Sequence, residues 1–187
     1  MIKNIRILII IGVIGTIIFL IVQDLAWTGK LAVETDFLKF TPYFSVIKPQ
    51  EQIVIQNGAN YVKAHPVYFD LYLPRDFDQA SVEVEYKDEF GYQILLGPNI
   101  KTGWDLKPVV DLPSASNDYK IKSVDFDLAG KNINNGKLRF EISIPELKDG
   151  KGIYLKNIKV TLTRQPLWQG NLAQNLLNYF TYVLLLR

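Results

Sequence analysis

The chain has 187 residues; setting aside a membrane segment of about 25 leaves roughly 160, the size of one domain that buries a core without staples. It has no cysteine, one histidine and one methionine, which excludes disulfides, cysteine nucleophiles and a His- or Cys-rich zinc site within one chain. The formal charge of +2 resides in Lys3 and Arg6; from Gln23 onward 19 basic residues balance 19 acidic ones, which argues against a nucleic-acid partner and the basic face it needs.

Ile7 to Val22 reads ILIIIGVIGTIIFLIV, sixteen residues without a charge. With Ile5 and a snorkelling Arg6 the stretch reaches about 18, near the lower end of what crosses a bilayer. Lys3 and Arg6 precede it and Asp24 follows it. That asymmetry predicts a single-pass anchor over residues 1–24 in the cell membrane, with a cytoplasmic N-terminus and an extracytoplasmic body. Ile7, Phe19 and Val22 lie in the span, and Trp27 takes the interfacial position. A cleaved signal peptide is the rival reading. It would cut near Ala26 and set Asp24 where a small residue belongs. Gly12 and Thr16 form a small-xxx-small pair of the kind that lets helices approach.

Residues 25–49 read as a stalk, punctuated by Pro42 and Pro49. Beyond it the hydrophobic period becomes two. Gln52 to Gln56 is a short strand closed by Asn57-Gly58. Val67 to Leu73 sets Val67, Phe69, Leu71 and Leu73 against Tyr68, Asp70 and Tyr72. Ser81 to Tyr86 sets Val82, Val84 and Tyr86 against Glu83 and Glu85. Tyr92 to Leu96 ends at Gly97-Pro98. Lys122 to Leu128 places Val124, Phe126 and Leu128 inward and Asp125 and Asp127 outward. Asn134-Asn135-Gly136 is a hairpin signal ahead of Lys137 to Ile144. Ile153 to Thr163 slips phase: Ile153 and Leu155 are odd-numbered, Ile158, Val160 and Leu162 even. A bulge near Asn157 keeps both sets in the core. Seven or eight such strands make an all-β fold, an antiparallel β-sandwich over residues 50–165.

The runs PVYFDLYLP and ASVEVEYKD, and later KLRFEISIPEL, a Gly-containing turn and IYLKNIKVTL, resemble the strands of carbohydrate-binding-module and galactose-binding-like jelly rolls. The resemblance covers roughly Ile53 to Thr163. It implies a jelly-roll-like sandwich that binds rather than catalyses, and it carries no ligand residue onto a position here. Leu167 to Arg187 then reads LWQGNLAQNLLNYFTYVLLLR, with Asn171, Gln174, Asn175, Asn178 and Thr181 in a polar stripe opposite Leu172, Leu176, Leu177, Phe180, Val183 and Leu184. Residues 166–187 therefore read as an amphipathic helix at the membrane interface, anchored by Trp168 and Phe180. A second span, costly for its asparagines and glutamines, and docking to a partner subunit stay open.

Four groups carry candidate chemistry. His65, before Pro66, is a lone histidine and reads as a surface loop residue. Glu83 with Glu85 are same-face neighbours about 7 Å apart, a spacing glycosidases use, but solvated strand faces look the same. Asp125 with Asp127 offers oxygen ligands to a calcium ion, and jelly rolls of the resembled kind often hold a structural one; no other cofactor is expected. Tyr68, Asp70, Tyr72 and Trp104 combine aromatic planes with a carboxylate and suit a sugar ring. The reading is a membrane-anchored, non-catalytic binding or accessory domain whose partners are membrane lipid and a glycan or an envelope protein. The alternative is an accessory subunit, or the leading part, of a membrane transport (permease) complex.

Overall fold

The computed structural model describes Gly12, Ile14, Gly15 and residues 29–74, 76–110 and 113–164. Gly12, Ile14 and Gly15 carry helical backbone. Among the described residues no helix is long and apolar enough to cross a membrane. Ile7, Phe19, Val22, Trp27, Trp168 and Phe180, expected to anchor the chain, and the expected C-terminal helix lie outside the described residues.

Twelve strands follow in chain order: β1 (Lys30–Thr35), β2 (Ile53–Gln56), β3 (Ala59–Val62), β4 (Val67–Tyr72), β5 (Gln79–Lys87), β6 (Leu95–Ile100), β7 (Gly103–Trp104), β8 (Lys107–Pro108), β9 (Lys120–Asp127), β10 (Ile133–Asn134), β11 (Lys137–Ser143) and β12 (Ile153–Thr163). One sheet runs β2-β3-β12-β5-β9, with β1 also on β12; the other runs β10-β11-β6-β7, with β4 on β11 and β8 on β6. Every pairing is antiparallel. The expected β-sandwich is therefore present, with five strands (β1, β3, β7, β8 and β10) beyond those the sequence suggested.

The inward faces follow the alternation. Phe69, Leu71, Val82, Val84, Phe126, Phe140, Ile142, Ile158, Val160 and Leu162 are all buried in one core cluster. Phe140 sits at its centre, stacked on Phe69 (5.5 Å between centroids, 9°) and edge-on to Phe126 (5.7 Å, 71°). The β12 bulge forms as expected: Leu155 pairs with Tyr86 and Asn157 with Glu85, leaving Lys156 as the extra residue. That single insertion returns Ile153, Leu155, Ile158, Val160 and Leu162 to one face, and all five are buried. Two hairpins turn on Asn57-Gly58 (φ 53 and 72) and Asn135-Gly136 (φ 50 and 67). Both central residues are left-handed, the geometry of a type I′ turn, which matches the twist of the strands it joins.

The stalk assigned to residues 25–49 needs correction. Lys30–Thr35 is a full strand, registered against Thr163–Ile158, and Val33 and Thr35 are buried. Phe44 and Ile47 are core residues, and Lys48 exchanges backbone hydrogen bonds with Tyr68 at 2.8 Å each way. The sandwich therefore begins at Lys30, and residues 36–48 close its side from β1 to β4. Gly97-Pro98, expected to end a strand, lies inside β6.

Candidate functional site

β4 and β11 run antiparallel in the register Tyr72–Lys137, Asp70–Arg139 and Tyr68–Glu141. These six side chains share the outward face of the second sheet, because their neighbours Phe69, Leu71, Leu138 and Phe140 are buried on the other. Arg139 donates to Asp70 twice, Nε to Oδ1 at 2.7 Å and Nη2 to Oδ2 at 3.2 Å. This charge-assisted fork raises the Arg139 pKa, first through the hydrogen bond to Asp70. Asp70 is buried at 5% exposure, so the carboxylate is held from below while the guanidinium reaches solvent. The Arg139 guanidinium also lies 5.2 Å from the Tyr68 ring centroid, and the Lys137 ammonium 5.3 Å from that of Tyr72.

On the other flank of β11, β6 brings Asn99 opposite Trp104 of β7. That approach depends on Gly97. A Cβ there would lie 2.0 Å from the Asp105 carbonyl oxygen, so only glycine lets Asp105 pass and donate its N–H to the Pro98 carbonyl at 3.0 Å. Lys131 pairs with the Asp105 carboxylate. Asn99 donates to the Gly103 carbonyl at 3.1 Å and accepts from the Asn132 amide at 2.6 Å.

The result is a hollow of about 370 Å³ lined by eight residues, among them Asp70, Arg139, Lys137, Trp104 and the amides of Asn99 and Asn132. Asn134 and Asn135 of the hairpin turn complete the wall. Its volume is within the usual range for small-molecule sites, about 300–1,000 Å³. Four primary amides, a salt-bridged pair and one indole offer many directional donors and acceptors beside an apolar plane.

Of the four residues expected to bind a ligand, Asp70 and Trp104 line this hollow. Tyr68 and Tyr72 share the sheet face, but each ring faces a cation on β11. Tyr72 instead lines a neighbouring apolar groove of about 510 Å³ with Phe37, Leu38, Phe40, Phe44 and Val46. The sequence reading missed Arg139, Lys137 and the asparagines. Their signals were the outward parity of β11 and the cluster Asn132, Asn134, Asn135, which was read only as a turn.

The other candidates separate. Glu83 and Glu85 do share an outward face, but Lys159 takes Glu83 at 3.1 Å and Lys156 takes Glu85 at 2.6 Å across the strands. They form a cross-strand charge ladder rather than a catalytic pair. Asp125 and Asp127 lie outward on β9, and Asp127 accepts the Ala129 N–H at 2.9 Å. No group of three His, Asp or Glu side chains among the described residues could hold a metal, and Lys107, Lys120 and Lys122 line the cleft beside Asp125. His65 is half-buried in the loop entering β4, at the strand end remote from Lys137.

No protein-family model matches the chain, and no curated protein matches its sequence. Solved structures do. The chain is similar to the CBM35 module of Cellvibrio japonicus Abf62, at 12% identity over 70% of this chain and 92% of that one, with a TM-score of 0.47. It is similar to a Xyl-CBM35 module solved with a glucuronic-acid-containing disaccharide, at 12% identity over 70% and 91%, TM-score 0.45. The CBM22-2 xylan-binding domain of Paenibacillus barcinonensis Xyn10C matches at 11% identity over 70% and 99%, TM-score 0.45. These are likenesses to carbohydrate-binding modules across about 70% of the chain at low identity.

Proposed function

We propose that this protein is a membrane-anchored, extracytoplasmic, non-catalytic domain that binds glycan through the outward face of β4, β11 and the β6–β7 turn. The observation that carries the reading is the hollow itself. It gathers Asp70, Asn99, Trp104, Asn132 and Arg139 from three distant stretches of chain around one opening. Sugars present paired hydroxyls and an apolar ring face. Amide and carboxylate–guanidinium groups satisfy the first, and an indole plane satisfies the second. The Asp70–Arg139 fork engages the one carboxylate among the described residues of the hollow, which favours a binding role for it over acid–base work.

The membrane part of the reading rests on the apolar run Ile7 to Val22 and its basic flank. Its geometric support is that both ends of the described body leave together. Lys30 pairs with Thr163, and the Arg164 N–H donates to the Gly29 carbonyl at 2.9 Å. Gly29 and Arg164, the two ends of the described body, therefore lie side by side. An accessory role in a membrane complex is the second reading. It is favoured by the apolar groove beside Tyr72, where Phe40 is 93% exposed, with Leu38 and Val46 also uncovered.

Affinity electrophoresis of the full chain in detergent, through gels holding xylan, mannan, galactan or hydroxyethylcellulose, tests the glycan reading. Retardation by at least one polysaccharide is expected, and Trp104→Ala abolishes it. Loss of one stacked aromatic plane and its contacts is worth about 1–3 kcal/mol, or roughly fivefold to 150-fold in affinity. Equal retardation of Trp104→Ala, or none for the native chain in any gel, contradicts the proposal.

A further inference from the structure

Strand β9 breaks its own pattern. Val124 and Phe126 face inward and are buried, yet the two preceding residues on that same face are Lys122 and Lys120. Two ammonium groups enclosed in a closed sandwich would cost several kcal/mol each. Here the sheets part instead. Between β9 of one sheet and β8 of the other lies an open cleft of about 780 Å³, lined by Lys107, Lys120, Lys122, Ser114, Ser123 and Asp125 among others. The cleft lies at β8, on the flank of β6 opposite β11, and shares no lining residue with the hollow.

The three lysines are not equally engaged. Lys107 donates to the Asp125 backbone carbonyl at 2.6 Å and sits 4.9 Å from the Phe126 ring centroid. Lys120 donates to the Ser114 carbonyl at 3.1 Å and to its hydroxyl at 3.0 Å. All these partners are neutral. Lys122 makes no hydrogen bond or ion pair with a described residue, and Asp125 is the one acid among the described lining residues. The outer faces of β5 and β12 differ: there Lys156 and Lys159 each meet a glutamate. Cations on an inward strand face that meet no acid side chain among the described residues, beside the Ser114 hydroxyl, are what a ligand bearing oxyanions needs. Consecutive same-face lysines stand about 7 Å apart along a strand, so a single small ion does not span them.

We propose that this cleft is a second binding site, for a polysaccharide bearing sulfate or phosphate groups, with Lys107, Lys120 and Lys122 as the oxyanion contacts. The near-neutral charge beyond Gln23 leaves no broad basic face, which favours such a chain over nucleic acid. Isothermal titration of the full chain in detergent with dextran sulfate, and with neutral dextran as control, tests it. Saturable binding to dextran sulfate alone is expected. It weakens at least about tenfold in Lys120→Gln/Lys122→Gln, because charge-assisted contacts are lost. Lys122→Gln alone, at an exposed side chain without a partner among the described residues, weakens it in the same direction and keeps the test free of folding effects. Lys63→Gln, a surface lysine beyond the cleft, leaves it unchanged, and so does Trp104→Ala, which separates this site from the hollow. Absence of saturable binding, or equal weakening in Lys63→Gln, overturns the proposal.

Discussion

Glu141 occupies an outward position on β11, yet it is buried, between Tyr68 on one side and Gly97 on the other. Burial raises its carboxyl pKa above the usual value, because desolvation disfavours the charged form. A carboxyl whose pKa is higher folded than unfolded leaves stability intact below the unfolded pKa and withdraws it as pH rises through the folded one. Glu141→Gln therefore raises the melting temperature at pH 7, and the gain vanishes near pH 4. Thermal melts of both proteins at the two pH values check this; equal shifts at both would show that packing, not ionisation, is responsible. Asp70, by contrast, is held in an ion pair with Arg139. Its substitution by alanine strands Arg139 and removes two charge-assisted hydrogen bonds, a loss of about 1–3 kcal/mol in a denaturant melt.

Among the elements, the strands easiest to read were those with one wet and one dry face. β4, β5, β11 and β12 alternate strictly, and even the β12 bulge is written in the parity of Leu155 and Ile158. β1 was harder. Its alternation of Leu31, Val33 and Thr35 is brief and follows an apolar run, so it read as a stalk until its pairing with β12 appeared. β3 is four residues long and its two-residue hairpin hides it behind the Asn57-Gly58 turn signal. The hollow was half legible: Asp70 and Trp104 carried recognisable chemistry, but only β11, lying between β4 and β6, brings them together with Arg139. Gly97 is the element-scale key to that meeting. Gly97→Ala forces β6 away from Asp105, and overpacking of this kind costs about 1–3 kcal/mol. A urea melt should show that loss, together with weaker polysaccharide retardation as Trp104 shifts.

At the scale of the whole molecule, the two ends of the described body meet, Lys30 pairing with Thr163 and the Arg164 N–H donating to the Gly29 carbonyl. The native chain holds no cysteine, so a single Lys148→Cys in an exposed turn gives an unambiguous topology probe. An extracytoplasmic body predicts labelling of intact cells by a membrane-impermeant maleimide; labelling only after lysis would place the body inside. The most direct measurement is hydrogen–deuterium exchange of the full chain in detergent, with and without an oligosaccharide cut from the polysaccharide that retards it. Slower exchange is expected in residues 67–72, 99–104 and 131–139. Unchanged exchange there, or protection confined to the outward face of β5 and β12, would contradict a glycan site on β4 and β11.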